Sequence, residues 1–185
     1  WQDRINDRFT YAVGIEDPKS SIDNVFNLEG EARPAMPNFA GNIRWIGKNL
    51  GSHIQFGVDV FQQNWQGGET GPNDKKIGYG LNLTGRFILD KNNFNTIMFG
   101  TTTGRASGHR VLLFEFSPND AVITNNGLDM IHHWTAYAGY NHYWSKDFNS
   151  TIAAFWADLD NSQFQTDDNI QSGGTFHVNL IWFPY

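Results

Sequence analysis

The chain has 185 residues, no cysteine and a formal net charge of −6. Its length fits one domain or part of one, and the absence of cysteine excludes disulfide scaffolds and thiol chemistry. The acidic balance argues against nucleic acid as a partner. Aromatic residues make up 15% of the chain, charged residues only 17%, and no apolar run approaches the roughly 18 residues of a membrane helix. This composition favours β-structure, including β-structure in a membrane.

Eight segments alternate between two kinds of residue, which is the period of a β-strand with unlike faces. In the first segment, Phe9, Tyr11, Val13 and Ile15 alternate with polar and small residues. Most segments approach the roughly 9–11 residues of a tilted membrane strand. In chain order the predicted strands are 8–16, 39–46, 52–63, 77–87, 94–103, 133–144, 150–160 and 174–183.

The connections between these strands alternate between short and long. Residues 47–51, 90–93 and 145–149 form tight turns, whereas 17–35, 65–76, 104–130 and 161–172 are long and polar. An up-and-down sheet then has all short turns at one end and all long loops at the other, as in outer-membrane barrels. The predicted fold class is therefore all-β, an up-and-down antiparallel transmembrane β-barrel. Residues 1–185 are expected to form a single barrel domain or a portion of one.

Strand parity predicts which residues face lipid and which face the interior. In a membrane barrel the apolar face meets lipid, and the polar and small residues face inward. Polar faces that contain Gly, Thr, Asn and Arg favour this arrangement over a soluble sandwich or a lipocalin-like barrel. The residues predicted to face lipid are Phe56, Val58, Leu81, Leu83, Phe155 and Leu180, and those predicted to face inward are Asn42, Asp59, Asn82 and Asn179.

Several strand sequences resemble those of the DcaP-like outer-membrane porins. The matching runs are 77–86 (IGYGLNLTGR), 11–18 (YAVGIEDP), 139–144 (GYNHYW) and 178–182 (VNLIW), with 99–105 (FGTTTGR) as a looser match. They occur in order along nearly the whole chain. The resemblance implies a homotrimer of sixteen-stranded barrels in the bacterial outer membrane, in contact with the lipid bilayer and lipopolysaccharide. It also implies passive diffusion of small anions such as dicarboxylates, and the eight predicted strands would be an interior-to-late portion of one barrel.

Six residues of the predicted polar faces are candidates for pore lining and anion binding. Arginine forks bind carboxylates in a bidentate way, and rings of arginine favour anions in pores. The alternative is that each arginine supports the wall by pairing with an acidic residue. The candidates are Arg8, Arg44 and Arg86, which lie toward the short-turn end, together with Asp59, Asn42 and Asn82.

The loop 104–130 is a candidate constriction. It contains Arg105, His109 and Arg110, followed by the apolar run 111–116, which needs burial. The loop could fold into the barrel, pack against a neighbouring protomer or extend as a hairpin above the membrane.

No catalytic or cofactor motif stands out in the sequence. The acidic residues of the last long loop lack the glycine of an EF-hand, so a solvated loop is preferred to a calcium site. The predicted function is a non-enzymatic porin without metal or cofactor. The alternatives are a small closed structural or adhesive barrel without a conducting pore, and a soluble β-sandwich that binds sugars.

Overall fold

The computed structural model describes residues 1–48, 51–90, 95–108, 119–165 and 169–184. The described residues are dominated by β-strands and contain no α-helix. None of them belongs to a helix that is long and apolar enough to span a membrane. In chain order the strands are β1 (Gln2–Asn6), β2 (Phe9–Glu16), β3 (Ile22–Asp23), β4 (Gly30–Ala32), β5 (Asn38–Ile46), β6 (His53–Gly67), β7 (Asp74–Ile88), β8 (Thr96–Arg105), β9 (Ala121–Thr124), β10 (Gly127–Met130), β11 (His132–Ser145), β12 (Phe148–Asp160) and β13 (Ser172–Trp182).

The long strands form one antiparallel meander in the order β1-β2-β5-β6-β7-β8-β11-β12-β13, with β4 added beside β6. All eight predicted strands are present, so the predicted all-β, up-and-down architecture is confirmed. Within the described part of the chain the sheet is open, because its path ends at β1 and β13. The prediction of a long connection at 65–76 is wrong, since β6 continues to Gly67 and β7 begins at Asp74.

Strand β1 was not predicted, and it adds a ninth member to the meander. A short turn connects it to β2, and the side-chain Oδ1 of Asn6 accepts hydrogen bonds from the backbone N–H groups of Arg8 (2.9 Å) and Phe9 (3.1 Å). An asparagine side chain that satisfies two backbone donors in this way stabilises a tight turn.

A second, smaller sheet has the order β10-β9-β3. Strands β9 and β10 form a hairpin that closes at Gly127, whose φ of +106° is accessible to glycine without strain. The small sheet packs against Phe61 and Trp65 of β6, and the buried cluster also contains Ala106, Ala121, Ile123, Leu128 and Met130.

The register assigns each strand residue to one of two faces, because directly paired residues lie on the same face of a sheet. We call the face that carries Asn42, Gly57 and Asn82 the polar face, and the opposite one the apolar face. The lipid-facing prediction for Phe155 is wrong, since Phe155 pairs with Tyr137 and Thr175, which lie on the polar face.

The other parity assignments agree with the register. In β12 the apolar face carries Ile152 and Trp156, each 49% exposed. The polar face carries Phe155, so both faces of this strand hold large apolar residues and the composition alone does not distinguish them.

Candidate functional site: the polar face of the sheet

One register row crosses the polar face through all nine strands of the meander. Directly paired residues form this row, which we call the central row. Its members are Arg4, Thr10, Arg44, Gln55, Thr84, Gly100, Tyr137, Phe155 and Thr175.

Two arginines lie in the central row, and only one of them was predicted. Arg44 Nε donates a hydrogen bond to Gln55 Oε1 at 2.9 Å, so its terminal NH₂ groups are left for other acceptors. Arg4 was missed because β1 was missed. The sequence offered little signal here, because Ile5 is the only apolar residue of β1 and five residues are too few for a clear period.

The other two predicted arginines lie one row closer to the short-turn end. The Ile46 N–H donates to the Arg8 carbonyl at 2.7 Å, and Ile46 pairs with His53, which pairs with Arg86. Successive rows on one face are about 7 Å apart and adjacent strands about 5 Å apart. The structure therefore brings the predicted Arg8, Arg44 and Arg86 together in two adjacent rows, and it adds Arg4.

The four guanidinium groups belong to exposed residues and are not neutralised by described carboxylates. The ion pairs found in the described part of the chain join Arg33 to Glu31, Lys76 to Asp74 and Lys146 to Asp147. Arg4 and Arg44 line a hollow of about 650 Å³ with Thr10, Asn42 and Gln55. Such a surface presents arginine forks to solvent, where they can meet an anion.

The remaining predicted residues lie farther along the same face. Asn42 and Asn82 share the next row toward the long-loop end, where both pair with Gly57. Asp59 lies one row beyond, is half-buried and has an interaction partner. All six predicted residues therefore share the polar face, with the basic groups separated from Asp59 along the strand direction.

The small sheet is fixed to the polar face by a buried polar network. Gln63 of β6, which is fully buried, donates from Nε2 to Asp120 Oδ2 at 2.9 Å. The same carboxylate oxygen accepts from the Ser21 backbone N–H at 2.9 Å, and Ser20 donates its hydroxyl to Gln63. Buried polar groups are costly when unpaired, so this network favours one docked position of the small sheet.

A second attachment involves β7 and the backbone of β10. The Leu128 N–H donates to Asp74 Oδ2 at 2.8 Å, and Lys76 Nζ donates to the Leu128 carbonyl. Asp74 and Lys76 lie on the polar face, as their pairing with Trp65 and Gln63 shows. The described ends of loop 104–130 thus fold onto the polar face near the long-loop end.

The three residues named for the constriction are distributed differently from the expectation. Arg105 is the last residue of β8 rather than a loop residue, and it pairs with Tyr79 and His132 on the apolar face. His109 and Arg110 lie outside the described residues. Among the described residues, no group of three or more His, Asp or Glu side chains could hold a metal ion.

One solved structure gives an informative comparison. The crystal structure of the outer membrane channel DcaP of Acinetobacter baumannii resembles this chain with a TM-score of 0.84 at 14% sequence identity. The match covers 100% of this chain and 51% of that chain, so this chain spans about half the length of the channel. No protein family and no curated protein sequence matches. The all-β, up-and-down fold expected from the strand motifs is thereby confirmed, since the two structures share one arrangement of strands over the whole of this chain.

Proposed function

We propose that this chain forms part of the wall of a bacterial outer-membrane porin through which small anionic solutes diffuse passively. The observation that carries the proposal is the pair of adjacent rows on the polar face that contain Arg4, Arg8, Arg44 and Arg86. Residues of opposite parity form an apolar face with exposed side chains such as Phe56 and Leu83. A sheet with these two faces suits a position between lipid and a water-filled lumen.

The proposed selectivity follows from where the charges lie. Acidic residues in external loops act weakly on a permeating ion, because salt screens them beyond about 8–10 Å. The four arginines would be nearer to the ion in a narrower space, where rings of basic side chains favour anions. Small carboxylates, including dicarboxylates that engage two guanidinium groups, are the proposed solutes.

The apolar face would contact the bilayer, with lipopolysaccharide at its outer leaflet, and the assembly would be a homotrimer without enzymatic activity. A small closed barrel without a pore is the weaker candidate, because the described meander has nine strands with open edges at β1 and β13. Barrels of about eight strands close around an interior that side chains fill.

Reversal potentials test this proposal. The full-length protein, reconstituted in planar bilayers under a salt gradient, should prefer anions, and Arg44→Ala with Arg86→Ala should weaken that preference. We expect about a twofold fall in the permeability ratio per arginine, from the Coulomb energy at about 8 Å in screened water. Arg105→Ala is the matched control, since it removes the same charge from the apolar face. Cation preference in the wild type, or equal effects of the polar-face and control variants, would contradict the proposal.

A further inference from the structure

The two halves of the central row differ in chemistry. On the side of β1 and β5 the row presents the guanidinium groups of Arg4 and Arg44, whereas on the side of β11 and β12 it presents the rings of Tyr137 and Phe155. The sequence pattern placed Phe155 on the lipid-facing side and gave Tyr137 no particular role. Residues on the polar face of a membrane barrel do not contact lipid, so lipid contact does not explain these large aromatic rings.

The Tyr137 ring lies over a glycine of the neighbouring strand. A Cβ on Gly100 would collide with Cε1 and Cζ of Tyr137, so the ring occupies the space that a side chain at Gly100 would fill. Although it rests on the wall in this way, Tyr137 remains 43% exposed. Directly beside it, Phe155 is half-buried against Ala157 and Leu159. The pair therefore forms a supported aromatic surface with an open side.

A basic group lies within reach of this surface. Arg86 pairs with Met98, and Met98 pairs with Gly139, in the row next to that of Tyr137. Arg86 and Tyr137 are two strands and one row apart, which corresponds to about 12 Å between their Cα atoms. Because the Tyr137 ring lies over Gly100 of β8, it is nearer to β7, the strand of Arg86, than the Tyr137 Cα is, which shortens the gap to be bridged. A single aromatic ring that carries a carboxylate has the size to bridge such a gap.

We infer that Tyr137 and Phe155 form an aromatic binding platform in the pore, and that it favours aryl carboxylates, with their ring on Tyr137 and their carboxylate at Arg86. This inference rests on the proposed function. Aromatic rings attract each other in offset or edge-to-face geometry beyond the gain from area burial, and guanidinium groups pair with carboxylates through two hydrogen bonds. Together, a ring and an arginine would distinguish an aryl carboxylate from a saturated one of equal charge.

Current block by benzoate and by cyclohexanecarboxylate tests the inference in the full-length protein in planar bilayers. The two probes have the same charge and nearly the same size. We expect benzoate to bind about three- to tenfold more tightly than cyclohexanecarboxylate, because one contact between two aromatic rings provides a gain of that size. Tyr137→Leu, which still covers Gly100, should abolish this preference, whereas Tyr137→Phe should keep it. Arg86→Gln should weaken the current block by both probes to the same extent, because both carry the carboxylate that Arg86 would bind.

Tyr140→Leu is the matched control, because Tyr140 pairs with Ile97 and Ile152 on the apolar face and should leave the preference unchanged. Equal block by the two probes in an anion-selective wild type would overturn the platform and leave the porin proposal standing. If the benzoate preference survived in a Tyr137→Leu, Phe155→Leu double variant, the platform would also be overturned and the porin proposal would stand. The role left for Tyr137 would then be to cover Gly100. An absence of anion current in the wild type would overturn the porin proposal itself, before either probe is added.

Discussion

Phe61→Ala should detach the small sheet from the wall while leaving the wall itself folded. Phe61 is fully buried in the cluster between β6 and the small sheet, with Ile123 and Leu128 among its other members. Truncating a buried phenylalanine costs about 3–5 kcal/mol, from lost burial and the cavity left behind. The hydrogen-bond ladder between β6 and β7 does not depend on this side chain, so the loss falls mainly on docking of the small sheet.

A cost of that size would shift the docking equilibrium by roughly a hundredfold to several thousandfold. We expect a larger single-channel conductance in planar bilayers, since a folded-in obstacle is released. Limited proteolysis with chymotrypsin should also cut β10 after Leu128 and Met130, which are both buried in the wild type.

The matched control is Phe56→Ala, which makes the same truncation in the same strand but on the apolar face, where Phe56 is 47% exposed. It should leave both conductance and cleavage unchanged. If Phe61→Ala gave wild-type conductance together with wild-type resistance to chymotrypsin, the buried cluster would not be what holds the small sheet in place. If cleavage appeared without a change in conductance, the small sheet would not obstruct the pore.

Three further predictions concern the two faces. Leu83→Arg should lower the folded yield in detergent, because a cation at the bilayer midplane costs about 2–4 kcal/mol, whereas Asn82→Arg should be tolerated. Equal yields would contradict the assignment of the Leu83 face to lipid, and the opposite order would mean that the faces are exchanged. Trp156→Arg should likewise reduce the folded yield more than Phe155→Arg, and the opposite order would restore the lipid-facing prediction for Phe155. Arg4→Ala should reduce anion preference in reversal-potential measurements. An unchanged preference would mean that Arg4 does not contribute to selectivity.

Strand positions could be predicted from the sequence because long strands with unlike faces leave a strong period of two. The same signal assigned Leu83 and Asn82 to opposite faces, as the register confirms. It failed for Phe155, since both faces of β12 carry large apolar residues. There the pairing with β11 and β13 decides the face, and pairing between strands is not encoded in the period of one strand.

Short strands and their partners were beyond this kind of prediction. Strands β3, β9 and β10 have two to four residues each, which is too short for a period to be visible. Their position is set by burial against Phe61 and by contacts such as that between Gln63 and Asp120, whose residues are far apart in the sequence. Arg8, Arg44 and Arg86 could be named from the sequence, whereas Arg4 could not. The arrangement of all four in two adjacent rows depends on the register of five strands.

The central claim is that the polar face lines a water-filled pore, and thiol labelling tests it most directly. The chain has no cysteine, so Asn82→Cys and Leu83→Cys each introduce a single reactive group into it, on opposite faces of β7. A negatively charged, membrane-impermeant thiol reagent should reduce the current through the Asn82→Cys channel and leave the Leu83→Cys channel unchanged. Modification of Leu83→Cys with loss of current, while Asn82→Cys stays unaffected, would contradict the account.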